Sequence, residues 1–413
     1  MQKLILSFLI FFGLTVNAKI EVLFNPHEPT LEKIADWIGS AQNRVDIAMY
    51  NMDVTDQSPI IQRLKSSDIQ NRIHNGSLSV RLIFEGYGGL KNNNEKLSLM
   101  ESLGLDARYL GKHVKVHHKI AVIDTGSNLE RVITGSANWS LSSYKGYNEN
   151  ILFFENEPES NYRYQTEFDR LWVRSFPFGF ERENILSEAK AFNQNDLDIF
   201  FNSPRHLKIS DGQPDNLTEQ IVRAVNSAQS TVEIATTRVR TESILDAIKI
   251  AADRGVKIKI LINQDDFKDI HLRGKWLLES SNIQLRIKFF NLKPKNYLSY
   301  QMHNKFLIVD RKSILTGSFN WSLSSENQHI ENLVQISGEK ANSLMPKYSK
   351  EFEDLWDLGR SKLNQLKEKL AQTKSAGLIP ACSFEPISLE VPEVNFLIKE
   401  YQNCSFSPRA NGL

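Results

Sequence analysis

His303-Asn-Lys-Phe-Leu-Ile-Val-Asp-Arg-Lys-Ser-Ile-Leu-Thr-Gly-Ser-Phe-Asn320 is the stretch whose reading decides the fold. Phe306–Val309 is a short apolar run of the kind that forms a buried strand. Arg311-Lys312 is expected to turn, and Ser313–Thr316 to return as a second strand. Gly317 then lets the backbone approach whatever the polar residues hold. Such a hairpin gathers His303, Lys305, Ser318 and Asn320 at one end. An imidazole that attacks or shuttles protons, a cation and two neutral hydrogen-bonding side chains suit a phosphate ester.

A second copy lies upstream. His117, Lys119, Asp124, Gly135, Ser136 and Asn138 repeat the order, and Trp-Ser-Leu-Ser-Ser follows both copies. The spacing from lysine to aspartate is the same. From aspartate to glycine the first copy is longer, and Thr125–Asn128 has the composition of an extended hairpin turn. His113-Val-Lys115 offers a competing frame, but Ile120 stands where its aspartate should be. Six fixed positions recur by chance on the order of 10⁻⁸ per start site, so two copies exclude coincidence.

This doubled pattern, H-x-K-x₄-D followed by G-S-x-N, resembles the phospholipase D superfamily. The resemblance implies an α/β fold: two tandem phospholipase D-like α-β-α sandwich domains, packed with pseudo-twofold symmetry and sharing a site at their junction. It implies a phosphodiester hydrolase that works through a phosphohistidine, with His117 as nucleophile and His303 as acid and base. The residues themselves give the two roles no asymmetry, and the reverse assignment stays open. The chemistry does require both histidines, because one group must attack phosphorus and another must protonate the leaving oxygen. Lys119 and Lys305 would neutralise the non-bridging oxygens, and Ser136, Asn138, Ser318 and Asn320 would donate to them. With two lysines in place of a cation, no metal and no cofactor is expected.

A nucleophilic imidazole must be held in one tautomer, usually by a carboxylate on its other nitrogen. Glu149 (in Asn148-Glu-Asn150) and Glu331 (in Ile330-Glu-Asn332) follow the two motifs at corresponding places, once the turn insertion is allowed for. The family places a carboxylate there, and each is read with the histidine of its own half. Asp124 and Asp310 follow the buried strands and are expected to fix the hairpins. His27, His74, His118, His271 and His329 match no ligand spacing and read as surface residues.

The repeat extends beyond the motifs. Ser40–Ala48 (SAQNRVDIA) matches Ser227–Ala235 (SAQSTVEIA), and Glu167–Trp172 matches Glu351–Trp356. Each half therefore holds a whole domain, expected at 19–180 and 190–360, with strands and helices alternating around a mixed sheet. The expected closing helices end at Trp172 and Trp356. The chain has 413 residues, 41% hydrophobic, with net charge +1. That is globular, long enough for two domains, and unlike a strongly basic nucleic-acid binder.

Met1–Ala18 reads as a signal peptide: Lys3, an apolar stretch and a small-residue cleavage site. The mature chain would begin at Lys19 and be periplasmic or secreted, with no later stretch apolar enough to span a bilayer. After Trp356 the repeat ends. Ser361–Lys374 reads as a charged helix and Gly377–Leu413 as irregular. Cys382 and Cys404 are expected to pair in an exported protein, the alternatives being free thiols or metal ligands.

Substrate is less determined. Asn291–Tyr300 (NLKPKNYLSY) interleaves lysines with tyrosines just before the second motif, as a cleft lining or as a solvated loop. Arg238 and Arg240 stand where the first half has Asn51 and Asp53, and would add charge to one side of the site. The expected substrate is a phospholipid head group, reached by peripheral membrane contact and handled by a monomer with both half-sites in one chain. An exported non-specific endonuclease is the alternative reading. A phosphatidyl transferase or a non-catalytic binding module ranks lower, since both halves keep His, Lys, Ser and Asn.

Overall fold

The computed structural model describes residues 18–85, 90–110, 115–175, 196–202, 215–267, 275–293 and 300–405. The signal segment 1–17, the expected boundaries 180 and 190, Lys112, His113, His271 and residues 294–299 of the lysine–tyrosine stretch lie outside them.

In the first half the strands are β1 (Lys19–Asn25), β2 (Arg44–Met49), β3 (Ser79–Phe84), β4 (Asp106–Tyr109), β5 (Lys115–Val116), β6 (Lys119–Ile123), β7 (Arg131–Gly135) and β8 (Glu149–Glu155). The second half has β9 (Leu197–Phe201), β10 (Thr231–Thr236), β11 (Lys257–Asn263), β12 (Ile283–Asn291), β13 (Lys305–Val309), β14 (Ser313–Gly317), β15 (His329–Ile330), β16 (Asn332–Ile336) and β17 (Ser383–Glu390). One sheet runs β1-β8-β7-β6-β2-β3-β4 and the other β9-β16-β14-β13-β10-β11-β12-β17. Strand for strand these are the same order, with β17 added at one edge. β2, β3 and β4 pair in parallel, as do β10, β11 and β12, while the motif hairpins pair antiparallel. The fold is thus the duplicated α/β arrangement that the repeat predicts.

Each sheet is covered on its outer face by amphipathic helices, such as Thr30–Gly39 in the first half and Leu217–Ser227 in the second. The helix expected near residues 58–67 is two, Pro59–Leu64 and Ser67–His74. The inner faces share one core. Tyr164, Phe168 and Trp172 from the closing helix of the first half pack in one buried cluster with Tyr348, Phe352 and Trp356 from that of the second. Burying such aromatic side chains contributes about 1.5–3 kcal/mol each, so separating the halves would expose a large apolar face. That core fixes the orientation in which the motif ends of the two hairpins meet.

Both hairpins form as expected. At the second, Asp310 and Arg311 both have φ near 53°, and the Lys312 amide donates to the Val309 carbonyl at 2.9 Å, closing a three-residue connection between Val309 and Ser313. Gly135 and Gly317 sit at positive φ (142° and 155°), and a Cβ there would collide with the carbonyl oxygens of Asn150 and Asn332. The glycines therefore admit the neighbouring strand, rather than a bound group as the sequence suggested.

The tail departs from expectation. Gly377–Leu413 was read as irregular, yet Ser383–Glu390 adds β17 antiparallel to β12, and Val391–Glu400 is a helix closed by a Glu390–Glu393 capping box. The helix expected at 361–374 runs Leu363–Ser375. Cys382 and Cys404 form the expected disulfide. Among the described residues no helix is long and apolar enough to cross a membrane.

Candidate active site

Two crossings between the halves build the site. β5 pairs in parallel with β15, and the His117 amide donates to the Ile330 carbonyl at 3.0 Å. In the pseudo-symmetric crossing Asn148 pairs with Met302, and the His303 amide donates to the Asn148 carbonyl at 3.0 Å. Each motif histidine thus lies beside the residue that precedes the other half's glutamate.

The side chains follow that backbone. His117 Nδ1 bonds Glu331 Oε2 at 2.8 Å, and His303 Nδ1 bonds Glu149 Oε1. The sequence reading paired each glutamate with the histidine of its own half, and the structure crosses them. The reason is the strand register: a short strand pair brings the Ile330-Glu331 segment of one half onto His117 of the other. Both carboxylates are fully buried. Glu331 also accepts from the Ser318 hydroxyl at 2.7 Å, and Glu149 from that of Ser143. Ser318 was expected to donate to substrate, and its proton is instead committed to the carboxylate beneath His117. Ser136 accepts from the Asn150 amide at 3.0 Å, as Ser318 does from Asn332.

Lys119 and Lys305 each donate to the carbonyl of the histidine two residues before them, at 2.6 Å. This ties each ammonium to the backbone of its histidine. Burial pushes Lys119 well below the usual lysine range and Lys305 down to about 7, opposed in both by the charges of Glu149 and Glu331. Lys119 and Lys305 each feel both glutamates, and Lys119 also feels Lys305, so the two half-sites form one electrostatic unit. Burial lowers both imidazoles as well. His303 falls to about 4, helped by Lys305 and resisted by Glu149, and His117 falls well below its usual value, resisted by Glu331. Burial opposes ionisation of Glu331, but His117, His329 and Lys119 together hold it well below the carboxylate range. Asn138 and Asn320 are the buried or half-buried residues two positions past the motif serines, and each amide oxygen lacks a partner among the described residues.

The motif aspartates lie at the far end of the hairpins. Asp124 accepts from the amides of Gln42, Asn43 and Arg44 at 2.7–3.0 Å, and Asp310 from those of Gln229, Ser230 and Thr231 at 2.7–2.8 Å. Each closes the loop that leads into β2 or β10. Burial opposes ionisation of Asp310, but these donors hold it down to about 2. His118, read as a surface residue, is fully buried between Glu167 (3.2 Å) and Asn332 of the other half (3.0 Å). His329, also read as surface, has its ring 5.7 Å from that of His117 and its Nδ1 3.5 Å from Glu331. His27 and His74 are exposed as expected. Arg240 is tied to Asp266 at 2.6 Å, so its charge is neutralised, while Arg238 is close enough to depress Lys305.

Sequence reasoning missed Tyr50. Its ring centroid is 4.7 Å from that of His117, and the ammonium groups of Lys115 and Lys119 lie 4.3 and 5.0 Å from it. Its repeat counterpart, two residues past the matched alanine, is Thr237. That difference is visible when the repeats are aligned. The His117 half-site therefore carries an aromatic wall that the His303 half-site replaces with Tyr147, 5.9 Å from its histidine.

Comparison with known proteins bears on this arrangement. The family model described as "Cardiolipin synthase, PLD-like domain" matches residues 34–172 and 221–356, two regions that together make up most of the chain. A phospholipase D of Rickettsia prowazekii is 26% identical over 162 residues, covering 38% of this chain and 74% of its own length. A mitochondrial cardiolipin hydrolase of Canis lupus familiaris is 28% identical over 138 residues, covering 33% of this chain and 50% of its own length. Both alignments are shorter than one repeat. The solved phosphatidylserine synthase of Haemophilus influenzae superposes with a TM-score of 0.60 at 13% identity, over 86% of this chain and 93% of that one. At that identity it speaks for the duplicated fold alone.

Proposed function

We propose, from the premise that this chain belongs to the phospholipase D-like family, that it is a metal-independent phosphodiester hydrolase acting on phospholipid head groups. The observation that carries the reading is the crossed pair of Glu–His–Lys sets, one from each hairpin, in a single buried cluster. Burial keeps both imidazoles neutral at rest, so either is ready to attack. A diester anion entering between Lys119 and Lys305 brings the negative charge those lysines lack, raising the lysines and favouring a proton on one imidazole. His117 is assigned the attack: its Nε2 forms a bond to phosphorus while Glu331 holds the Nδ1 proton. His303 gives its proton to the leaving oxygen, so the alcohol departs neutral. It then takes a proton from water, which displaces the phosphate and returns His117 to its starting state. Lys115 beside His117 supports the assignment, since its added positive charge helps keep that ring unprotonated.

The phospholipid substrate is favoured by the proteins this chain resembles, among them a phospholipase D and a cardiolipin hydrolase. Export belongs to the same proposal, with domains at 19–180 and 190–360 and a mature chain starting at Lys19, where β1 begins. The deciding experiment is head-group release from phospholipid vesicles by the purified mature protein, set beside plasmid nicking, with EDTA in both. Head-group release without nicking is expected. Nicking without release would replace the lipid reading with the nuclease one.

A further inference from the structure

A cleft of about 630 Å³ is lined by residues of both halves and of the C-terminal tail, among them Asn148 of the Asn148–Met302 crossing. Neither motif histidine lines it. Its size falls in the range of sites that hold small organic ligands. One wall is apolar, formed by Leu355, Leu358, Leu366, Phe384 and Ile387. Two of these belong to β17, which the Cys382–Cys404 disulfide anchors, so the tail outside the repeat is what completes the cleft.

The floor holds two charged groups that catalysis does not use. Lys288 is 3% exposed and Glu351 is 7% exposed. Lys288 donates to the Asn148 side chain and, at 3.4 Å, to the Gln301 carbonyl. Glu351 accepts from Asn304 at 3.5 Å. By strand register the first half has Leu110 where the second has Lys288, so Lys288 is particular to the second half, while Glu351 is the repeat counterpart of Glu167. The remaining charges sort by pairing. Asp354 is bound by Lys350 at 2.5 Å, and Glu385 by Lys362 at 2.7 Å. That leaves Lys145 and Lys369, both exposed lining residues, and neither makes an ion pair among the described residues. The lining therefore combines one apolar wall and a polar floor with two exposed lysines that have no ion-pair partner among the described residues.

We propose that this cleft binds a single-chain amphiphile with an anionic head, the acyl chain lying along the Leu366–Phe384–Ile387 wall and the head between Lys145 and Lys369. Burial drives Glu351 up to about 8 and Lys288 down to about 7, so near neutral pH both floor groups are largely discharged and the exposed Lys145 and Lys369 carry the positive excess. The site is separate from the catalytic cluster, and its test reads binding, so it stands or falls independently of the hydrolase reading.

The test is isothermal titration of the full mature protein at pH 7 with sodium laurate below its micelle concentration, against acetate and dodecyltrimethylammonium. One saturable laurate per chain is expected, with no measurable binding of the other two. Lys145→Glu/Lys369→Glu should weaken laurate at least tenfold, and Leu366→Trp should do the same by filling the cleft. Turnover of a chromogenic phosphodiester by the double variant should match the wild type, showing an intact fold and catalytic cluster. Should Leu366→Trp fail to fold, the charge-reversed protein decides alone. No saturable laurate binding by the wild type, equal binding of the trimethylammonium compound, or unchanged affinity in the double variant would each overturn the proposal.

Discussion

Glu331→Gln should behave like a lesion of His117, and Glu149→Gln like a lesion of His303, although in each case glutamate and histidine come from different halves. The hydrogen bonds concerned reach two fully buried carboxylates, from buried His117 Nδ1 to Glu331 at 2.8 Å and from half-buried His303 Nδ1 to Glu149. An amide keeps the shape but removes the charge that holds the proton on Nδ1. Hydrogen bonds to charged groups contribute about 1.5–3 kcal/mol, so the affected step should slow by roughly ten- to a hundredfold. In Glu331→Gln the loss extends to Ser318, whose hydroxyl donates to the same carboxylate. The assay is rapid quenching with an aryl phosphodiester, whose leaving group needs little protonation. With His117 as nucleophile, Glu331→Gln and His117→Ala should both form little phosphoenzyme. Glu149→Gln and His303→Ala should both form it and then hydrolyse it slowly, so that it accumulates. Pairing Glu149→Gln with His117→Ala, and Glu331→Gln with His303→Ala, would refute the crossed arrangement whichever histidine attacks. If the pairing held but accumulation moved to the Glu331→Gln protein, only the assignment of nucleophile would reverse.

Activity should persist in excess EDTA, and recovery by a divalent ion after its loss would sink the lysine-based mechanism. The dependence of kcat/KM on pH should be bell-shaped and belong to the coupled pair of imidazoles, so a profile that only rises or only falls would count against paired acid and base roles. Asp310→Asn should lower the melting temperature at neutral pH. Because its folded pKa is depressed to about 2, its contribution is present above about pH 4 and fades as pH falls towards 2, where wild type and variant should converge. Reducing the Cys382–Cys404 bond, which spans a sequence separation of 22, should cost about 3 kcal/mol in the chain-entropy model. Denaturant midpoints with and without reductant would measure it, and catalysis should survive because the tail holds no motif residue.

What was legible in the sequence was whatever repeats or alternates locally. The hairpin at Lys305–Gly317 could be read because its strand, turn and strand lie within a few residues and recur at 119–135. The crossed glutamates could not, because spacing along the chain ties Glu149 to His117, while the contact that matters is made by two-residue strand segments 214 residues apart. His118 shows the same limit on a smaller scale. A histidine between His117 and Lys119 looks solvated until Glu167 and Asn332, from a distant helix and the other half, satisfy both its nitrogens. The tail was misread for another reason. Pro386 inside Ser383–Glu390 argues against a strand, yet β17 is the outermost strand of its sheet, where a missing N–H costs little. Edge position is a property of the assembled sheet, and only the assembled sheet brings this tail over Lys288 and Glu351. Duplication supplied two equivalent half-sites, and the segments outside the repeat, together with Tyr50 against Thr237, are what make the two halves unequal.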